Sequence, residues 1–336
     1  MSLSLLIATI GLVPCCFPSS DKQSDLKSRL LEEGPAAWRA LDERVKQVEG
    51  SYQIHSSFPG MKFQGKNIED DKEESSFLVN QSKVVWTSKR SRGVRILLMN
   101  NDYRARLTTD AKNPSTYSLL GLSEQDPSYR SIFDVDVSEE IGSLGDVIRS
   151  PWAILYQTLS KWFDHPGFTI IRVEGIEGPD ANELVKVTFK YQPLKKSDEP
   201  TISEGEMVLD PSNRWCLKSY RLKIPTSHDI LNREATYEYD GERAGIPFLR
   251  MKKEILKTSA GHEVRTVSFT DLKHRVASDD EFTLSAFGLP EPNFQPTAPT
   301  PQYLTFLALA AVFLAAFLWM RGRKARRTNL GAAATA

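Results

Sequence analysis

For most of its length this chain keeps its apolar residues at a period of two, the repeat of a β-strand with one dry and one wet face. Tyr52, Ile54 and Ser56 alternate with Gln53 and His55; Val94, Ile96 and Leu98 run into Asn100, Asn101 and Asp102, and Tyr103, Ala105 and Leu107 return. Val185, Val187, Phe189 and Tyr191 share one face against Lys186, Thr188 and Lys190. Residues 207–209 meet the turn sequence Asp210-Pro211-Ser212-Asn213 before 215–224 runs back, and further runs follow at 235–239, 249–256 and 264–269. Each junction carries residues that favour turns, so neighbouring strands pair as hairpins. The spacing predicts a single antiparallel meander of roughly eight to eleven strands.

Two stretches depart from this period. Within 35–48, Trp38, Leu41, Val45 and Val48 make one apolar stripe opposite Arg39, Asp42, Glu43 and Lys46, Pro35 suits a first helical position and Gly50 ends the run. Midway along the chain, Ser150 and Pro151 open a second helical pattern in which Trp152, Leu155, Tyr156, Leu159, Trp162 and Phe163 fall on one side, before His165-Pro166-Gly167. A face that bulky must be buried by a sheet. The expected fold is therefore α+β: a curved antiparallel β-sheet, a half-barrel, wrapped around the two helices, plus one C-terminal transmembrane helix.

That last element rests on 303–320, eighteen residues without charge followed by Arg321, Arg323, Lys324, Arg326 and Arg327. As a helix the segment is about 27 Å long, close to the hydrocarbon thickness of a bilayer. The cations place the tail, 321–336, in the cytoplasm by the positive-inside bias. Residues 288–302 hold five prolines in fifteen and read as an extended linker. At the other end, 1–20 has the apolar run and small-residue boundary of a signal peptide. Cys15 and Cys16 suggest lipidation, but Pro14 and Cys15 stand where that signal wants a small residue. The body, 21–287, is then an exported domain of a single-span membrane protein, facing away from the cytoplasm. Its single remaining cysteine, Cys216, excludes an internal disulfide.

Basic and acidic residues balance at 43 each, and with five cations in the tail the body is mildly acidic, which argues against nucleic acid as a partner. The cluster Lys89, Arg90 and Arg92 reads as a solvated hairpin loop. His55, His165, His228, His262 and His274 lack metal-ligand spacing, and no motif for a nucleophile, a metal or a phosphate loop occurs, so neither cofactor nor catalysis is expected. Asp164 and His165 suit a helix end, Asp134 and Asp136 an exposed strand face, and Cys216 a small buried apolar position.

A first strand entered through Val-Glu-Gly-Ser-Tyr at 48–52, a meander broken by one helix, the hairpin 207–215 and a closing Phe-Thr-Leu-Ser-Ala-Phe-Gly-Leu-Pro at 282–290 together resemble the bacterial lipoprotein-carrier fold of LolA, LolB and RseB. The resemblance spans about 25–290. It implies acyl chains held between sheet and helices, with Trp152, Leu155, Leu159 and Trp162 lining or plugging the site and Phe189, Tyr237 and Tyr239 contributing from the sheet; core packing alone also accounts for all seven. A tethered domain cannot shuttle between membranes. The expected role is an acceptor, chaperone or sensor for a lipid or lipoprotein, with an envelope protein as a possible partner. A protein-interaction ectodomain without a cavity is the alternative, and a hydrolase of unrecognised type the weakest reading.

Overall fold

The computed structural model describes residues 20–293, except 64, 92, 111–112, 126–139, 179–181, 194–200, 227–228 and 260, and positions 310 and 313. The chain divides into two units, Met1–Leu289 and Pro290–Ala336. In the second, 310 and 313 are helical; the rest of the expected span 303–320 and the tail lie outside the described residues, as do 1–19 and Asp134 and Asp136. Among the described residues no helix is long and apolar enough to cross a membrane.

The first unit is built on one antiparallel sheet of thirteen strands, two more than the upper end of the expected range. Its strands are β1 (Gln47–Ser57), β2 (Asp71–Asn80), β3 (Lys83–Arg90), β4 (Gly93–Met99), β5 (Tyr103–Asp110), β6 (Asn113–Glu124), β7 (Phe168–Glu177), β8 (Glu183–Tyr191), β9 (Ile202–Asp210), β10 (Cys216–Pro225), β11 (Ile230–Arg243), β12 (Ile246–Thr258) and β13 (Gly261–His274). Neighbours in space are neighbours in sequence except at one place, where β13 pairs with β1. The order is thus β7 through β13, then β1 through β6, and the sheet is not a closed barrel.

The turns form as their residues dictate. Asn100 Oδ1 accepts from the amides of Asp102 and Tyr103, and Asp210 Oδ1 accepts from the Asn213 amide. The predicted alternation holds in β8, where Val185, Val187, Phe189 and Tyr191 are all buried. Phe189 lies across Gly205 of β9, where a Cβ would stand 2.5 Å from its ring. Cys216 is buried, and burial pushes its thiol well above the ordinary range.

The helices differ from expectation. Helix α1 spans Ser20–Arg44, running through Pro35 instead of starting there, while Val45 and Val48 lead into β1 and Gly50 sits within that strand. Leu26, Leu30, Trp38 and Leu41 recur at helical spacing and are buried. The carbonyl that Pro35 leaves without a donor belongs to Leu31, on the exposed side, where water can replace the lost bond. Trp38 Nε1–H donates to the Trp215 carbonyl at 2.9 Å, and Trp215 Nε1–H returns to Glu33 at 3.1 Å, fixing α1 over the start of β10.

The expected midway helix is not continuous. Helix α2 (Glu140–Arg149) passes into a 3₁₀ turn at Ser150–Trp152, then a small hairpin pairs Ala153–Ile154 with Gln157–Thr158, and α3 covers only Leu159–Asp164. The Ile154 carbonyl, which a continuous helix would have committed to its own ladder, accepts from Trp162 Nε1–H at 2.9 Å. The tertiary need to satisfy a buried indole outweighs helical periodicity here.

Residues from α1, α2, α3 and strands of both arms of the sheet form one apolar core on a single face, the inner face. On the outer face Leu78 and Val85 pack with Ala277 and Phe282 of the closing segment, held by bonds from Asn80 to the Ala277 carbonyl and from Asn100 to the Phe282 carbonyl.

Because the Phe189 ring fills the space above Gly205, Gly205→Ala should lower stability by about 1–3 kcal/mol through overpacking. Urea unfolding checks this; an unchanged midpoint would show that the ring does not depend on the glycine.

Candidate functional site

The inner face is divided. Beneath α1 and α3 it is apolar and filled: Trp162 meets Tyr191 edge-on at 4.4 Å, and Phe168 stacks between Trp162 and Phe189 at 6.3 and 4.9 Å. Leu159, Trp162 and Phe189 are all buried there. Trp152 is also buried, but its indole donates to Asp42 Oδ1 at 2.9 Å and ties the 3₁₀ turn to α1. Burial of Asp42 pushes its carboxyl up, with the Trp152 bond and Arg149 opposing. Tyr239 is partly buried and donates to the Leu217 carbonyl at 2.6 Å.

Leu155 occupies a different setting. With Tyr156 it forms the two-residue tip of the small hairpin, and both have positive φ, 50° and 70°. Such a tip normally carries Asn-Gly, and side chains with a full Cβ cost about 1–2 kcal/mol each in this conformation. Leu155 packs against the core edge, whereas Tyr156 is 40% exposed.

Behind the tip lies a buried charged row. Tyr220 of β10, Ala235 of β11 and Glu254 of β12 are direct ladder partners, and Tyr237 pairs with Lys252 one step along. Arg233 Nε–H donates to Glu254 Oε1 at 2.7 Å, Tyr220 donates to the same oxygen, and Lys252 Nζ stands 3.7 Å from it. All of these side chains are buried. Burial alone would raise the Glu254 carboxyl, but Lys252, Arg233 and the two hydrogen bonds outweigh it and hold the pKa at about 2. Tyr220 is pushed far up by burial and by the adjacent Glu254 charge. The Arg233 guanidinium lies 5.8 Å from the ring centre of Tyr156, joining the row to the tip.

Of the seven residues named from sequence, the structure gathers Leu159, Trp162 and Phe189 into the filled half and places Tyr237 in the charged row. Tyr220, Arg233, Lys252 and Glu254 were not foreseen. For Lys252 and Glu254 the cause is a register shift between Glu238 and Tyr239, opposite 249–251 of β12. Up to Leu249 the buried positions of β12 are apolar; past the shift Lys252 and Glu254 turn inward and Met251 does not. A strict period of two would have put Met251 inside.

Toward the other arm, an open pocket of about 610 Å³ is lined by Ser88, Arg90, Arg95 and Thr108, with Glu69, Asp70, Asp71 and Leu120 among its other walls. Glu73 lies beside it, buried and accepting from Ser75 and Arg90; burial raises its carboxyl, and these bonds hold it below its ordinary value. Trp86, on the same strand as Ser88, has a buried Nε1–H without an acceptor among the described residues. No group of three His, Cys, Asp or Glu residues able to hold a metal is found among the described residues.

The domain is α+β, a large antiparallel sheet packed on helices, with its inner face part apolar and part charged. Three solved structures are similar. A LolA superfamily protein from Nitrosomonas europaea matches over 75% of this chain and 97% of its own, at 13% identity and TM-score 0.42. An outer membrane lipoprotein-sorting protein domain from Vibrio parahaemolyticus matches over 77% and 100%, at 8% identity and TM-score 0.38. A DUF1329 family protein from Desulfovibrio piger matches over 78% and 98%, at 11% identity and TM-score 0.40. The resemblance expected from the sequence is therefore found among solved structures. No protein-family model matches the sequence, and no curated protein does.

The pKa of Glu254 fixes a pH dependence. Above pH 4.5 the carboxylate is ionised in both folded and unfolded chains and its contribution is complete; as pH falls from 4.5 through about 2 the unfolded chain binds the proton first and the contribution is lost. The loss amounts to about 3 kcal/mol. Glu254→Gln should flatten this part of the stability profile in acid-titrated unfolding while lowering stability at pH 7; an unchanged slope would count against the charged row.

Proposed function

We propose that the domain binds a lipid or lipoprotein acyl chain on its inner face, as a membrane-tethered acceptor, chaperone or sensor and not as an enzyme. The observation that carries this reading is the cover: the hairpin 153–158 closes over the inner face with an apolar tip, Leu155 and Tyr156, held in a backbone conformation that favours neither residue. Strain of this kind persists where the surrounding packing over-determines it, and it clusters at ligand clamps and switch segments. Displacing the tip would open a path between the filled aromatic half and the charged row. The aromatic half offers an acyl chain a surface of rings, and the tip offers a lid of matching chemistry. The site lies on the bacterial inner membrane, in the periplasm or outside, with 288–302 as linker, 303–320 as the single span and the tail in the cytoplasm.

A second reading has its own observation. Along the edge strand β6, Leu119, Leu120 and Leu122 are 45%, 64% and 38% exposed, an apolar edge of the kind that binds protein. On that reading an envelope protein is the partner and the interior stays shut.

Native mass spectrometry of the full chain, extracted from bacterial membranes, separates the two. Binding predicts a stoichiometric acyl lipid, reduced several-fold by Leu155→Glu, a substitution at the partly exposed tip that leaves the core intact. A lipid-free chain whose protein complexes disappear with Leu119→Lys and Leu122→Lys would overturn the lipid reading in favour of the second.

A further inference from the structure

The charged row contains donors that the fold leaves wholly or partly unbonded. Tyr237 is 5% exposed, and among the described residues its hydroxyl has no hydrogen-bond partner. Directly across the ladder, Lys252 is 6% exposed; its Nζ lies 3.7 Å from Glu254 Oε1 and 5.8 Å from the Tyr237 ring centre, and among the described residues it has no hydrogen-bond acceptor. Arg233 commits Nε to Glu254, and its terminal nitrogens bind no acceptor among the described residues. An orphaned buried hydroxyl weakens the fold, and the neighbouring ammonium has only a long ion pair to Glu254. Both persist side by side on facing strands, under a strained tip whose Tyr156 ring neighbours Arg233.

The shared property of these groups is that they donate. Glu254 accepts from Tyr220 and Arg233 on Oε1, and Lys252 Nζ stands beyond hydrogen-bond distance of that oxygen. Asp146 of α2, the other carboxylate facing the row, is buried but forms no ion pair with Lys252 or Arg233 within 4 Å among the described residues. What the arrangement lacks is one compact oxyanion at the level of Lys252 and Tyr237.

We infer that Lys252 Nζ, the Arg233 guanidinium and the Tyr237 hydroxyl receive the anionic head, a carboxylate or phosphate monoester, of a single-chain amphiphile whose acyl chain lies beneath the Leu155–Tyr156 tip. The inference rests on the acyl-chain reading and adds the ligand's polar end to it. Charge-assisted hydrogen bonds hold the head and the tip closes over the chain.

The test uses the full chain in phosphatidylcholine nanodiscs, titrated calorimetrically with decanoate, 1-decanol and inorganic phosphate. Decanoate should bind at least 10-fold more tightly than decanol. Lys252→Met should remove that preference while leaving decanol affinity within about 2-fold. Tyr237→Phe, which deletes the orphaned hydroxyl, should raise the melting temperature by about 2 °C and yet weaken decanoate several-fold, a pairing that a purely structural tyrosine would not give. Equal binding of decanoate and decanol overturns the head site and leaves the acyl-chain reading standing. Failure of both to bind overturns the acyl-chain reading as well. Phosphate bound in a Lys252-dependent way without decanol binding makes the ligand a free anion and overturns the amphiphile. If Lys252→Met does not fold, an unchanged decanoate affinity in Tyr237→Phe overturns the proposal by itself.

Discussion

The pairing of β1 with β13 is the constraint on which the rest of the structure depends. It joins residues more than two hundred positions apart, Val48 to His274 at one end and Ser57 to Val264 at the other. Without it there would be two separate meanders. With it the outermost strands become β6 and β7, which are consecutive in the chain, so the segment between them has to travel from one edge of the sheet to the other. That segment carries α2, the strained hairpin and α3, and its 3₁₀ turn packs on β10 and β12. The cover is therefore a consequence of the strand order. Pairing at such sequence separation also makes the fold slow to assemble, since loop closure must precede any reward from the central ladder.

The local elements were legible because each is decided by neighbours in sequence. Asn100 and Asp210 build their turns with their own side chains, and the alternation in β8 reports a face buried on one side only. The β1–β13 pairing was not legible, since nothing in either strand names its partner. The helical pattern of 152–163 failed for a different reason. Its apolar spacing suits a helix, but the indoles of Trp152 and Trp162 need acceptors, and these are Asp42 and the Ile154 carbonyl. For the candidate site, one shift of register decided the matter: opposite Tyr239 it turned Lys252 and Glu254 inward, and a charged pair that reads as solvated became the floor of a buried row.

The two halves of the inner face behave differently in energetic terms. The aromatic half gains by area removed from water and by ring geometry, and leaves no donor unsatisfied at Trp152 or Trp162. The charged half holds ions in a low dielectric, where Lys252, Arg233 and Tyr220 keep Glu254 ionised but the Tyr237 hydroxyl has no partner among the described residues. An apolar cover in an unfavoured backbone conformation joins these halves.

Hydrogen–deuterium exchange across 153–158 tests the central claim, that the hairpin is a movable cover over a ligand site. In the full chain without added ligand, the account predicts that these amides exchange much faster than those of β8 and β10, and that decanoate slows them while leaving the central strands unchanged. Amides at 153–158 protected as deeply as the sheet, and indifferent to decanoate, would contradict it.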